Sequence, residues 1–152
     1  MRPVNFLRIL AISIALSGYS AWVMTHRPAE VKLQAYGEVA DIPLIRRGVA
    51  ESLWHEPSTL FVDARSSIDY HFGHIRGAVS IPEKEFEARF PDLKPRLTKA
   101  KTIVVYCKNI DCGQSLWTAI RLRNEGLTQT VIYPDGWNDW DLHDLPTVKV
   151  ER

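Results

Sequence analysis

Residues 102–115 read TIVVYCKNIDCGQS, and the fold turns on how that stretch divides. Thr102 to Tyr106 is an unbroken β-branched and aromatic run, the pattern of a strand buried on both faces, as in a parallel sheet. It ends in Cys107. The residues that follow, Lys108, Asn109, Ile110, Asp111, Cys112 and Gly113, are mostly polar or small and predict a loop. From Gln114 to Glu125 (QSLWTAIRLRNE) the apolar residues Leu116, Ala119, Ile120 and Leu122 share one helical face, with Gly126 as a stop. The order is strand, loop, helix, with a cysteine at the carboxyl end of the strand. In open α/β sheets ligands bind at such ends.

The flanking sequence repeats the pattern. Thr59 to Val62 (TLFV) ends in Asp63, and Thr130 to Tyr133 (TVIY) is closed by Pro134, Asp135 and Gly136. Both predict strands. Leu44, Ile45, Val49, Leu53 and Trp54 recur at helical intervals after Pro43, so a helix is expected over 43–54. A short helix is expected over 66–71 and an amphipathic one over 83–93 (EKEFEARFPDL). Strands alternating with helices predict an α/β fold, one mostly parallel sheet flanked by helices. No repeat, phosphate-cradling glycine loop or Ser/His/Asp order is visible.

Ahead of this domain, expected over 39–152, Ile9 to Met24 (ILAISIALSGYSAWVM) carries no charge, and Arg2, Arg8 and Arg27 flank it. Against the roughly 20 residues that span a bilayer, this predicts a transmembrane helix within residues 1–26, an uncleaved membrane anchor. Export followed by signal cleavage is the alternative, although Tyr19 and Trp22 crowd any cleavage site. Residues 27–38 suit a polar spacer. In a bacterium such an anchor in the inner membrane would leave the domain in the periplasm.

Charge and cysteine count exclude other classes. From Glu30 onward there are 16 basic and 18 acidic residues, a net −2, so there is no basic stripe for nucleic acid. The two cysteines, Cys107 and Cys112, are too few for a disulfide framework or a tetrahedral zinc site. His55, His71 and His143 lack ligand spacing, so no metal or cofactor is expected. Cys107 itself has a definite chemistry. An ordinary thiol, with a pKa of about 8.5, is only slightly ionised at neutral pH, and the thiolate is the nucleophile. Loop N–H groups turned inward, just before a helix N-terminus, would stabilise that anion and the outer sulfur of a persulfide.

Four motifs, FVDAR at 61–65, GHIRGAVSIP at 73–82, VVYC at 104–107 and DGWNDW at 135–140 followed by LP at 145–146, resemble the rhodanese family in order and spacing. The resemblance covers about residues 39–150. It implies a single domain with a sheet of about five strands and a sulfurtransferase that carries sulfur as a persulfide on Cys107. The donor would be a small sulfur compound or a protein persulfide or thiol, the recipient a thiophilic acceptor. The active-site loop would be Cys107 to Ser115. Asp63 and Arg65 would tie a loop to its neighbours, His74 would shape a turn beneath the site, and Gly136 and Trp137 would form a second site-facing turn. Trp117 is expected to pack.

The loop departs from the family pattern. Ordinary rhodaneses have a shorter loop with an arginine at the position of Cys112, which helps bind an anionic donor; here the serine that opens the helix comes late, at Ser115. Without a loop arginine, thiosulfate is disfavoured as donor, and so is the phosphatase activity found elsewhere on this fold. Two other functions are compatible with the residues: a non-catalytic binding module, and thiol–disulfide exchange with Cys112 as redox partner of Cys107.

Overall fold

A computed structural model describes residues 41–150, all within one compact unit. The expected anchor and spacer lie outside the described residues. Among the described residues no helix is long and apolar enough to cross a membrane. The elements are α1 (Arg47–Trp54), β1 (Thr59–Asp63), α2 (Ser67–Phe72), β2 (Gly73–Ile75), β3 (Val79–Ser80), α3 (Phe86–Lys99), β4 (Thr102–Tyr106), α4 (Gln114–Asn124), β5 (Thr130–Tyr133), α5 (Gly136–Leu142) and β6 (Thr147–Lys149). A 3-10 turn, Glu83–Glu85, leads into α3.

The main sheet has four strands in the order β3-β1-β4-β5, every pairing parallel. Beyond β5, Leu44 makes a single parallel bridge to Ile132, and the backbone of residues 43–45 exchanges hydrogen bonds with Ile132. The sheet is thus four strands plus one rung. That rung corrects the helix expected from Pro43. Pro43 cannot donate, but its carbonyl accepts from Ile132 at 2.9 Å, so the edge captures residues that helical spacing alone would assign to α1.

The unbroken apolar run of β4 follows from two cores, one on each face. Ile103 and Val105 point to the side covered by Phe86, Phe90 and Leu97 of α3 and Ala119 and Leu122 of α4. Val104 and Tyr106 point to the other side, among Ala50, Phe61, Tyr133 and Trp140. At about 1.5–3 kcal/mol for each fully buried large side chain, both faces contribute strongly, and neither tolerates a polar alternation. The neighbours alternate in the same way, Leu60 and Val62 opposite Phe61, and Ile132 opposite Tyr133.

Helix α3 runs to Lys99 rather than stopping near Leu93, despite Pro91 and Pro95 inside it. Both prolines face solvent, where the carbonyls they leave without a donor can reach water, while Phe86, Phe90 and Leu97 anchor the opposite face. The GHI segment is also a correction. It forms β2, paired antiparallel with β6, so His74 sits opposite Val148 in a small second sheet rather than in a turn.

Candidate functional site

Cys107 is the residue after β4 and is 1% exposed. The loop 107–113 doubles back through a turn in which the Cys112 N–H donates to the Asn109 carbonyl at 3.1 Å. The Asp111 N–H donates to Asn109 Oδ1 at 3.2 Å, an Asx turn that fixes the same corner. The turn brings half-buried Cys112 onto Cys107, and the two form a disulfide with their Cα atoms 6.2 Å apart. The side-chain amide of Gln114, the first residue of α4, lies 3.4 Å from both sulfurs. The expected inward cradle of loop N–H groups is thereby modified, because two of those donors serve Asn109. The helix opens at Gln114, where the apolar period places it, after Gly113 and with Ser115 buried in its first turn. It is the Gln114 Oε1 that faces the two sulfurs, and the amino-terminal end of α4 begins at that residue.

A second element holds the start of the loop. Gly136 has φ +65°, and a Cβ there would overlap the Cys107 carbonyl oxygen and approach its carbonyl carbon to 3.0 Å. Only glycine allows so close an approach in that conformation. As a result the Trp137 N–H donates to the Cys107 carbonyl at 2.8 Å and the Asn138 N–H to that of Lys108 at 3.0 Å. Helix α5 grips both peptides that leave the strand.

Beneath these lies a buried polar network. Arg65 donates to both carboxylate oxygens of Asp63, with Nη2 at 2.6 Å from Oδ2, and Nη2 also donates to the Gly73 carbonyl at 2.6 Å. Asp63 is fully buried and Arg65 5% exposed. Burial disfavours the guanidinium charge, yet Asp63 outweighs it, and the Arg65 pKa stands above its ordinary value. The Tyr106 hydroxyl donates to Asp63 Oδ2 at 2.7 Å and accepts from the Ile75 N–H at 3.1 Å. Burial, reinforced by Asp63, pushes the Tyr106 pKa well up. Arg65 also stacks on the Trp137 ring, 4.6 Å from its centroid. This network ties β1, β2, β4 and α5 together under the loop.

The structure does not bring every expected residue together. Lys108 and Asp111 point outward, exposed at the rim. His74 stacks on Tyr70 at 3.8 Å and bonds the Tyr70 carbonyl through Nδ1 at 2.8 Å, a packing role. Trp117, expected to pack, is 57% exposed. Tyr106 is hidden in the sequence inside a continuous apolar run, although a tyrosine there must find a partner for its hydroxyl. Among the described residues no group of three or more His, Cys, Asp or Glu side chains gathers to hold a metal ion.

A buried cysteine closing the central strand of a parallel sheet, with a helix starting just beyond, defines a cysteine-centred α/β domain. The family model of the rhodanese-like domain matches residues 48–143, and the chain belongs to that family. The chain is 33% identical over 85 residues to the HTH-type transcriptional regulator Rv0324 of Mycobacterium tuberculosis, covering 56% of this chain and 35% of that protein. It is 40% identical over 53 residues to a tRNA uridine(34) hydroxylase of Photorhabdus laumondii, covering 34% of this chain and 15% of that one. The chain thus spans about a third or less of these curated relatives. The crystal structure of a thiosulfate sulfurtransferase from Pseudomonas aeruginosa superposes with a TM-score of 0.60 at 20% identity, covering 81% of this chain and 23% of that one, a likeness of fold.

Proposed function

We propose that this domain is a sulfurtransferase that takes sulfane sulfur onto Cys107 as a persulfide and passes it to a thiol acceptor. The observation that carries the reading is the position of Cys107, buried at the end of β4 and fixed by Trp137, with Gln114 and the start of α4 beside its sulfur. In the reduced protein the Gln114 amide, turned to present Nε2, donates to the Cys107 thiolate, and the helix dipole adds to the effect. Without a loop arginine, a bulkier or protein-borne persulfide, whose carboxylates lie away from the transferred sulfur, fits better than thiosulfate. We further propose that residues 1–26 anchor the domain in a membrane, facing the periplasm in a bacterium.

The test uses the reduced Cys112→Ser chain, in which no internal disulfide can close. Incubation with glutathione persulfide is expected to add about 32 Da at Cys107, removed by cyanide as thiocyanate. A folded chain whose Cys107 takes up no sulfur from either glutathione persulfide or thiosulfate would refute the proposal. A second reading, thiol–disulfide exchange, is favoured by the Cys107–Cys112 bond itself. It predicts that the oxidised chain transfers its disulfide to a reduced substrate protein without any sulfur donor.

A further inference from the structure

We propose that Cys112 resolves the Cys107 persulfide, so that the domain releases sulfide and is reset by an external dithiol. This rests on the persulfide reading above, with Cys112 taking the place of the external thiol acceptor. The structure joins Cys112 Sγ to Cys107 Sγ, which is the inner sulfur of any persulfide on Cys107. Attack by Cys112 is therefore directed at the inner sulfur, and the outer one becomes the leaving group.

The step balances without an added oxidant. The Cys112 thiolate attacks the inner sulfur of Cys107–S–SH, a new Cys107–Cys112 bond forms, and the bond to the outer sulfur breaks. That sulfur, which arrived at the sulfane level, leaves with the electron pair as hydrosulfide. Cys112 and Cys107 end as the disulfide. Hydrosulfide is the conjugate base of a stronger acid than a cysteine thiol, so it departs more readily than either protein sulfur. Gln114 Oε1 lies 3.4 Å from both sulfurs, so the same side chain, with its amide turned to present Nε2, reaches the Cys112 thiolate before the step and the Cys107 thiolate after reduction.

Burial sets the direction of the reset. Cys107 is 1% exposed, whereas Cys112 is half-buried in the loop. A thiolate of the dithiol reductant attacks Cys112 and expels Cys107 as thiolate. The reductant's second thiol then attacks its own sulfur in the mixed disulfide and releases Cys112. Over the cycle one sulfane sulfur and one dithiol give one sulfide and one disulfide of the reductant. While the internal disulfide is closed, Cys107 accepts no further sulfur. The partner is thus a dithiol reductase or small dithiol, and the product feeds a reaction that consumes sulfide.

The experiment uses the full chain, reduced and held without oxygen, mixed with one equivalent of glutathione persulfide or of thiosulfate, with donor-only and no-donor controls. The wild type is expected to lose about 2 Da and to release about one equivalent of sulfide above the donor-only control. The Cys112→Ser chain is expected to gain about 32 Da and to release none. Wild type that accumulates the same gain at Cys107 with no disulfide overturns the resolving role while leaving the persulfide reading intact. Failure of both chains to take up sulfur from either donor overturns both.

Discussion

Replacing Gly136 by alanine tests whether α5 holds the start of the cysteine loop. Two costs are separable. The first is backbone strain: a residue with a Cβ at φ +65° loses about 1–2 kcal/mol. The second is the overlap with the Cys107 peptide, relieved only by moving apart the Trp137–Cys107 and Asn138–Lys108 hydrogen bonds, each contributing about 0.5–1.5 kcal/mol. Gly77 supplies the control, since it has φ +86° but nothing within 4 Å of where an added Cβ would sit. Gly77→Ala therefore measures strain alone, and Gly136→Ala is expected to cost about 1–3 kcal/mol more. In a domain of this size that is a further fall of roughly 4–15 °C in melting temperature. Thermal and urea unfolding of the two variants give the difference directly. Equal losses would refute the claim that the glycine turn supports the loop.

Arg65→Leu strands the Asp63 carboxylate in the core and is expected to cost about 3–5 kcal/mol by urea unfolding; a cost below about 1 kcal/mol would contradict the buried network. Tyr106 has its pKa raised in the folded state, so its contribution is complete below the ordinary value near 10 and is lost as pH climbs through the folded value. Stability should therefore fall above about pH 10, and Tyr106→Phe, weaker at neutral pH, should show a shallower fall; an unchanged slope would refute this. Gln114→Leu should slow sulfur uptake onto Cys107 from glutathione persulfide in the reduced Cys112→Ser chain by about tenfold, followed as the rate of the mass gain. An unchanged rate would remove Gln114 from the site.

The main strands were legible because burial on both faces leaves an unmistakable apolar run, as in 102–106, and the cysteine marked its end. What escaped depends on contacts distant in sequence. Residues 43–45 carry a helical period, but the exposed edge of β5 captures them, which no local pattern encodes. The GHI segment is too short to show strand alternation, and its partner, Thr147–Lys149, lies more than seventy residues away. Prolines at 91 and 95 signal a helix end locally, and tertiary burial of Phe90 and Leu97 overrides them. At the site, the cysteines and the start of α4 were evident, whereas the contact of the Gln114 side chain with both sulfurs depends on how the loop 107–113 folds back, which residue patterns do not encode.

The loop's missing arginine also raises the question of whether another cation replaces it. Among the described residues, Arg65 is a guanidinium packed on Trp137, whose backbone N–H holds the Cys107 carbonyl. Its Nε and Nη2 donors, however, are engaged by Asp63 and the Gly73 carbonyl, and the Asp63 charge neutralises its own. Freeing it to bind an anion would leave a fully buried carboxylate unpaired, at a cost of several kcal/mol that weak anion binding does not offset. Lys108 is exposed at the rim, where solvent screens its charge. Anion recognition is therefore weakly supported at this site, while a second sulfur is bonded to the first. Thiosulfate binding through charge should then be weak and salt-sensitive, and sulfur uptake from a neutral or protein-borne donor should be nearly independent of ionic strength.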